Sequence, residues 1–224
     1  MNLADVLLRA ADASPDARAL TWAGGSTTYA ELADRSARVA GALAADGRRP
    51  GDRVGIVCGN TPAFVVAYLG ALRAGAVAVP VNPLGTVAEV EAEFAGTGTQ
   101  VAIVDHVGQP VVGRLVEEGR AHGLTVVDGG GSGWEAFTSA EPAATVDRSG
   151  DDPAVLVHTS GTSGPARAAV LTHANLASNI DQMQRHPGMR VEEGDVVLAV
   201  LPFFHVFGLN AVLGLGLATG VELV

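Results

Sequence analysis

The amino-acid sequence predicts an α/β protein built on a doubly wound, mainly parallel sheet with helices on both faces. Three observations carry that expectation. Between residues 53 and 128, short apolar runs alternate with helix-patterned segments through short links, the repetition of a parallel sheet covered on both sides. Hydrophobic residues make up 48% of the 224 residues, enough for a sizeable core and too many for a disordered chain. Aromatics are only 4% and glycines number 29, so the core is expected to consist of Ala, Val and Leu and the links to be tight turns. At roughly 150 residues per domain, the length allows one or two domains.

Leu3–Ala13 places Leu3, Val6, Leu7 and Ala10 at helical spacing, and Ser14-Pro15 stops it. Residues 19–22 and 27–29, joined through Gly24-Gly25, read as a small hairpin. Thr28 is then a helix N-cap with Glu31 as its capping-box partner. That helix runs to about Asp46 with Leu32, Ser36, Val39 and Leu43 on one face, and Gly47 ends it. Strands are expected over 53–58, 76–81, 100–105 and 124–128. The intervening helices are Pro62–Arg73, with proline in its first turn, 86–95 and 110–122. Residues 129–150 break the rhythm with Gly, Ser and Pro, and read as a surface insertion with one packed turn around Trp134 and Phe137. The alternation resumes with a buried strand over 154–158, a short apolar segment at Val170-Leu171 and a helix over 174–185. A strand over 195–200, a helix over 206–219 and a strand over 221–224 follow. No internal repeat is visible.

Fourteen basic against twenty-four acidic residues leave a net charge of −10, and so acidic a chain repels nucleic acid. All fourteen basic residues are arginine, so no lysine can serve as a catalytic or phosphate-binding group. The single cysteine, Cys58, allows no internal disulfide and fits a reducing compartment. The N-terminus lacks the basic segment and apolar stretch of a secretory signal, so a cytoplasmic location is expected. The most membrane-like stretch, residues 206–221, is short for a span and holds four glycines. It reads as a buried helix followed by a strand, and no membrane span is expected.

The most informative segment is HTSGTSGPARAAVLTHANL, which begins at His158 and ends at Leu176. It follows a buried strand, at the sheet edge where open α/β proteins bind ligands. Thr159, Ser160, Thr162 and Ser163 offer hydroxyls, while Gly161 and Gly164 let backbone N–H groups turn toward one point. Such a cradle suits phosphate oxygens; a solvated turn between two strands would use the same residues. It is not a Walker A loop, because GxxxxGK[ST] is absent, and no GxGxxG stands between a strand and a helix. His173, at a helix start, reads as structural, and His106, His122 and His186 as solvent-facing. No His, Cys and Asp cluster has zinc spacing.

The loop and its sequel, Thr159-Ser160-Gly161-Thr162-Ser163-Gly164, then Arg167 and Leu171-Thr172-His173-Ala174-Asn175-Leu176, resemble the signature TSGTTGxPKGVxLTHxNL of the adenylate-forming superfamily. That superfamily holds the acyl-CoA synthetases, luciferases and peptide-synthetase adenylation domains. The run from Leu72 to Pro83, LRAGAVAVPVNP, resembles its AGAVxVPxNP block, and the run from Leu201 to Gly208, LPFFHVFG, its LPxFHxxG block. The order and spacing hold over the whole chain. The resemblance implies an ATP-dependent carboxylate-activating ligase: a carboxylate attacks the α-phosphate of ATP, and a thiol, usually coenzyme A, then takes the acyl group. ATP, Mg2+ and coenzyme A are the implied cofactors, with a carboxylic acid as substrate. Residues 159–164 and Arg167 are the implied phosphate-binding residues, and His205, at the acyl or pantetheine side, the implied catalytic one.

Two departures qualify the implied activity. Where the family has Pro-Lys-Gly, this chain has Ala166-Arg167-Ala168. The guanidinium fork is broader than an ammonium, and Ala168 removes a permissive backbone position. The family's downstream YGxTE-type segment, ribose-binding aspartate, hinge and C-terminal lysine domain are also absent. The expectation is therefore an incomplete N-terminal domain over 1–224: a nearly complete α/β subdomain at 52–188 and part of a second at 1–51 and 189–224. Exposed edges and an apolar face should result, to be covered by a homodimer or a C-terminal partner chain. The isolated chain is expected to be inactive. The alternatives are a non-catalytic remnant that binds a nucleotide or acyl ligand, and an interaction module docking through its open sheet.

Overall fold

A computed structural model describes residues 1–121, 124–128, 132–159 and 167–224. Helix α1 (Leu3–Ala13) leads into β1 (Arg18–Trp22), β2 (Gly25–Thr28) and α2 (Tyr29–Ala45). The alternating part follows as β3 (Arg53–Val57), α3 (Pro62–Arg73), β4 (Val77–Pro80), α4 (Val87–Thr97), β5 (Val101–Val104), α5 (Gln109–Glu117) and β6 (Thr125–Asp128). After α6 (Ser132–Thr138) come β7 (Pro153–Thr159), β8 (Arg167–Thr172), α7 (His173–Arg185) and β9 (Val196–Val197). A π-helical segment (Phe207–Gly214) then runs into α8 (Leu215–Thr219), and β10 (Glu222–Leu223) closes the order.

The strands form two sheets. Six strands lie in the order β6-β5-β3-β4-β7-β8, parallel throughout except for the antiparallel pair β7 and β8. Four lie in the order β2-β1-β10-β9. In the larger sheet, Val54, Ile56, Val101 and Ile103 face the layer that contains α3, while Val57, Val79, Ala102 and Val104 face α4 and α5. The loop after β3 therefore turns to one face and the loops after β4 and β5 to the other. That places the topological switch, where such sheets bind ligands, at the carboxyl end of β3. One apolar core runs from this sheet through α1, α2, α3, α7 and the π segment to Ala19, Leu20 and Leu223 of the smaller sheet.

Local chemistry sets the helix starts. Thr28, Thr86 and Thr172 each accept from the backbone three residues on, and Glu31, Glu89 and Asn175 reach back to complete the boxes. Each cap is worth about 1 kcal/mol. Three helices depart from the sequence expectation. Helix α5 stops at Glu117, short of the expected 122, because Gly119 takes a left-handed φ of 68°. The 129–150 insertion contains a short helix, Ser132–Thr138, whose Phe137 packs on the core. The helix expected over 206–219 begins as a π-helix, in which the Leu215 N–H donates to Asn210 O five residues back.

Strand β9 is much shorter than the expected 195–200. The inside–outside alternation continues to Val200, but pairing in the ladder stops at Val197. Val196, Leu198, Val200 and Phe207 are 63%, 67%, 69% and 63% exposed, so this sheet edge carries an uncovered apolar strip.

The chain's start is fixed by polar groups in the core. The Asn2 side chain, wholly buried, donates to Leu72 O and Val146 O and caps α1 by accepting from Ala4 N. His173, also wholly buried, accepts from Leu3 N at Nδ1 over 3.0 Å, which leaves the ring hydrogen on Nε2. Burial, and then the nearby Arg148 charge, push its pKa down from 6.5 to about 4. A group so depressed favours folding only while neutral. Relative to His173→Asn, which keeps an acceptor for Leu3, the wild type should lose stability as pH falls from about 6.5 toward about 4, because the unfolded chain then takes up a proton that the folded one refuses. The full loss is on the order of 3 kcal/mol. Denaturant titrations at pH 7 and pH 4.5 check this; a stability difference independent of pH would refute it.

Candidate functional site

The polar groups gather along the carboxyl edge of the six-stranded sheet. There β7 ends at Thr159 and β8 begins at Arg167, and these two residues are register partners. The Thr159 hydroxyl donates to Arg167 O over 3.1 Å, so its hydrogen is committed to closing the hairpin. Ser160, Gly161, Thr162, Ser163 and Gly164 lie outside the described residues. Arg167 is exposed, and among the described residues it has no ion-pair partner. The geometry thus brings Thr159 and Arg167 together at the mouth of the hydroxyl–glycine loop. Together they present one exposed guanidinium and one hydroxyl oxygen with acceptor capacity left.

One residue before the loop, His158 faces α4, with Nδ1 3.4 Å from Oε2 of Glu93. Both side chains are largely buried, and neither atom has a hydrogen-bond partner. Burial, with the Glu89 charge adding to it, raises the Glu93 pKa to about 7. Burial lowers that of His158. Both shifts favour the uncharged forms beneath the loop.

Two strand spacings away, about 10 Å along the same edge, β3 runs into Gly59, Asn60 and Thr61. The buried carboxylate of Asp105, just after β5, organises this loop. It accepts from Gly59 N (3.1 Å), Thr61 Oγ1 (2.8 Å), Val107 N (2.9 Å) and Gly108 N (3.1 Å). Asn60 in turn holds the segment that leads to His205. Its Nδ2 donates to Ala199 O and Leu201 O, each at 2.8 Å, and its Oδ1 accepts from Phe203 N at 2.9 Å. The Phe203 ring packs on Phe64 of α3 with centroids 5.5 Å apart.

His205 sits on the turn that follows. Its N–H donates to Pro202 O, its carbonyl accepts from Leu209 N, and its exposed ring lies against Phe204 with centroids 4.9 Å apart. Gly208 is required by this turn, since a Cβ there would stand 2.2 Å from Pro202 O and 2.9 Å from Leu201 O. His106 and His186 are exposed, and His122 lies outside the described residues. Cys58 is buried and its thiol pKa is raised, chiefly by desolvation, so it is no nucleophile. Among the described residues, no three His, Cys, Asp or Glu side chains are grouped to hold a metal ion. Sequence reading does not single out Asp105 or the His158–Glu93 pair, and Asn60-Thr61-Pro62 stands out in it only as a segment that fits the family resemblance. Asn60-Thr61-Pro62 signals a helix start, and nothing local announces a partner 139 residues away.

A family model described as AMP-binding enzyme matches residues 7–224. The 4-coumarate–CoA ligase 3 of Oryza sativa subsp. japonica is 33% identical over 207 residues, covering 90% of this chain and 37% of the relative. ATP-bound MatB from Rhodopseudomonas palustris superposes with a TM-score of 0.85 at 32% identity, covering 100% of this chain and 45% of that one. The inhibitor-bound N-terminal domain of FACL13 from Mycobacterium tuberculosis superposes with a TM-score of 0.89 at 29% identity, covering 99% and 56%. The chain spans less than half the length of the curated relatives named CoA ligases.

Two variants test the site geometry. Gly208→Ala must push a backbone carbonyl aside and should cost roughly 2 kcal/mol or more, with NMR shifts concentrated at 201–209; a neutral substitution would contradict the turn. The raised pKa of Glu93 means that its contribution is present at low pH and is lost as pH rises from about 4.5 through about 7. Glu93→Gln should therefore gain stability on the wild type between pH 5 and pH 8, by up to about 3 kcal/mol, as read from denaturant midpoints. An equal difference at both pH values would place Glu93 in water.

Proposed function

The chain belongs to the AMP-binding enzyme family, and from that premise we propose that it carries the phosphate-binding part of an ATP-dependent carboxylate–thiol ligase. In the proposed reaction a carboxylate attacks the α-phosphate of ATP to give acyl-AMP and pyrophosphate, and coenzyme A then takes the acyl group. The observation that carries this reading is the β7–β8 hairpin. It sets Thr159 and the free Arg167 opposite one another at the carboxyl edge, at either end of the Ser160–Gly164 stretch. Hydroxyls and backbone N–H groups of that stretch would receive the β- and γ-phosphates, and Arg167 would supply the cation that a family lysine supplies elsewhere. The contribution is charge stabilisation of departing pyrophosphate by fixed donors, without a covalent step. Arginine suits this role because it stays charged and can meet two oxygens at once.

His205, exposed at the end of the Asn60-held turn, would line the acyl or pantetheine side. Among the described residues no three His, Cys, Asp or Glu side chains are grouped around one point, and in this reading magnesium would enter on the ATP phosphates. In this reading residues 52–188 act as the phosphate-binding subdomain, and 1–51 with 189–224 as part of a second. The exposed strip of Val196, Leu198, Val200 and Phe207 would then be covered by a second copy or a C-terminal partner chain. No helix among the described residues is long and apolar enough to cross a membrane, in keeping with the proposed cytoplasmic location. The 224 residues alone should not turn over, because the adenine, ribose and lysine contacts implied by the family resemblance are not among them.

NMR titration of ATP and pyrophosphate into wild type, Arg167→Ala and Thr162→Ala tests the reading. ATP should bind in the millimolar range, about −4 kcal/mol, and both substitutions should weaken it several-fold. Shift changes indifferent to both substitutions would remove the loop from the site. Robust ATP–pyrophosphate exchange by the purified chain would show that the proposed missing contacts are not needed.

A further inference from the structure

We propose that Asn60 is the positioning residue for His205, holding the 199–203 segment so that the imidazole is presented at a set place beside the carboxyl edge. The inference rests on the reading of His205 as a contact on the acyl or thiol side, and adds to it the residue that places that contact.

The segment from Leu198 to Phe207 has little else to define its path. Leu198, Val200, Leu201, Val206 and Phe207 are exposed, and the strand ladder has already ended at Val197. Phe203 is buried and Ala199 half-buried, and Ala199 N donates to Val224 O. Val200 N donates to Leu198 O and Pro202 O accepts from His205 N, both within the segment, while three further backbone groups between 199 and 203 are met by one side chain. The Asn60 carboxamide donates twice, to the carbonyls of Ala199 and Leu201, and accepts once, from Phe203 N. It works as a detached peptide group, continuing a strand-like pairing where the ladder has stopped. Two donors and one acceptor at this reach are the inventory of asparagine; aspartate lacks the donors and serine has only one.

Asn60 is itself well held. Its neighbours on both sides, Gly59 through its N–H and Thr61 through its hydroxyl, bond to the same buried Asp105 oxygen. Position is therefore passed from Asp105 to Asn60, from Asn60 to the 199–203 backbone, and from there through the Pro202–His205 turn to the imidazole.

The test uses the labelled 224-residue chain, with the His205 ring and the 203–209 amides as reporters and coenzyme A and pyrophosphate as probes. Asn60→Ala should move the His205 ring signals and weaken the coenzyme A-induced shifts there several-fold, while pyrophosphate-induced shifts at Arg167 stay at wild-type size. Asn60→Asp, which keeps only the acceptor, should also displace the ring, and it decides the question if Asn60→Ala does not fold. Leu32→Ala, a core truncation in α2, should lower the melting temperature and leave His205 unmoved. Unshifted His205 and 203–209 signals in the Asn60 variants, or equal shifts in Leu32→Ala, would overturn the positioning role. A wild-type His205 that ignores coenzyme A would instead overturn the reading of His205 as a ligand contact.

Discussion

Helix α3 has no side that can face water. Ala63 through Leu72 are all buried, and a helix apolar all round must be enclosed on every side. The six-stranded sheet covers one side of it, while α1 and α2 cover others. The contact with α2 is close enough to require glycine, since a Cβ on Gly70 would fall 2.4 Å from the Val39 side chain. Enclosing α3 therefore obliges the N-terminal helices to pack against the sheet. It also fixes the loop at its start, where Asn60 and Thr61 stand, and Phe64 supplies the surface on which Phe203 rests. The carboxyl edge gains its geometry from this buried helix more than from any contact of its own.

The charges divide along the same line. Many of the arginines are spent on neighbouring acids: Arg38 with Asp34, Arg114 with Glu118, Arg120 with Glu91 and Glu118, Arg148 with Asp152 and Arg185 with Asp181. Most of these pairs are exposed and stabilise the fold little. Arg167, at the mouth of the loop, has no such partner among the described residues, although the chain carries an excess of ten negative charges. An unpaired cation at this position is what the proposed anion site needs, and an acidic surround elsewhere discourages indiscriminate anion binding.

Most of the architecture was legible because it is written in local chemistry. Capping threonines at 28, 86 and 172, glycines after helices, and uniformly apolar strands each act within a few residues. What escaped depends on distant partners. Strand β9, an edge strand paired only with β10, stops at Val197, although its alternation runs on to Val200. A turn between two strands is legible from the apolar run that ends at His158 and the extended residues 168–171, whereas the antiparallel pairing of β8 on β7 is seen only in the ladder. His158 reads as the end of a strand; its buried carboxylate neighbour, Glu93, comes from a helix on the far side of a crossover. At the site, the hydroxyl–glycine loop was visible as composition and order, whereas Asn60 acquires its role only when residues 139 to 143 positions away arrive beside it.

The two sheets are related at this edge in a way that bears on the proposed chemistry. The hairpin with Thr159 and Arg167 belongs wholly to the larger sheet, while His205 lies between β9 and β10 of the smaller one, eight positions after Val197. Nothing in the smaller sheet's own ladder extends to His205. The turn is tied instead to the larger sheet, by the Asn60 amide and by Phe203 on α3. The phosphate end and the acyl end of the proposed site are then both attached to the larger sheet. The exposed apolar strip of Val196, Leu198, Val200 and Phe207 runs along the same segment and ends two residues past His205. Holding both ends of the proposed site on one sheet would meet the positional demand that the proposed two-step transfer between a nucleotide and a thiol makes on its protein.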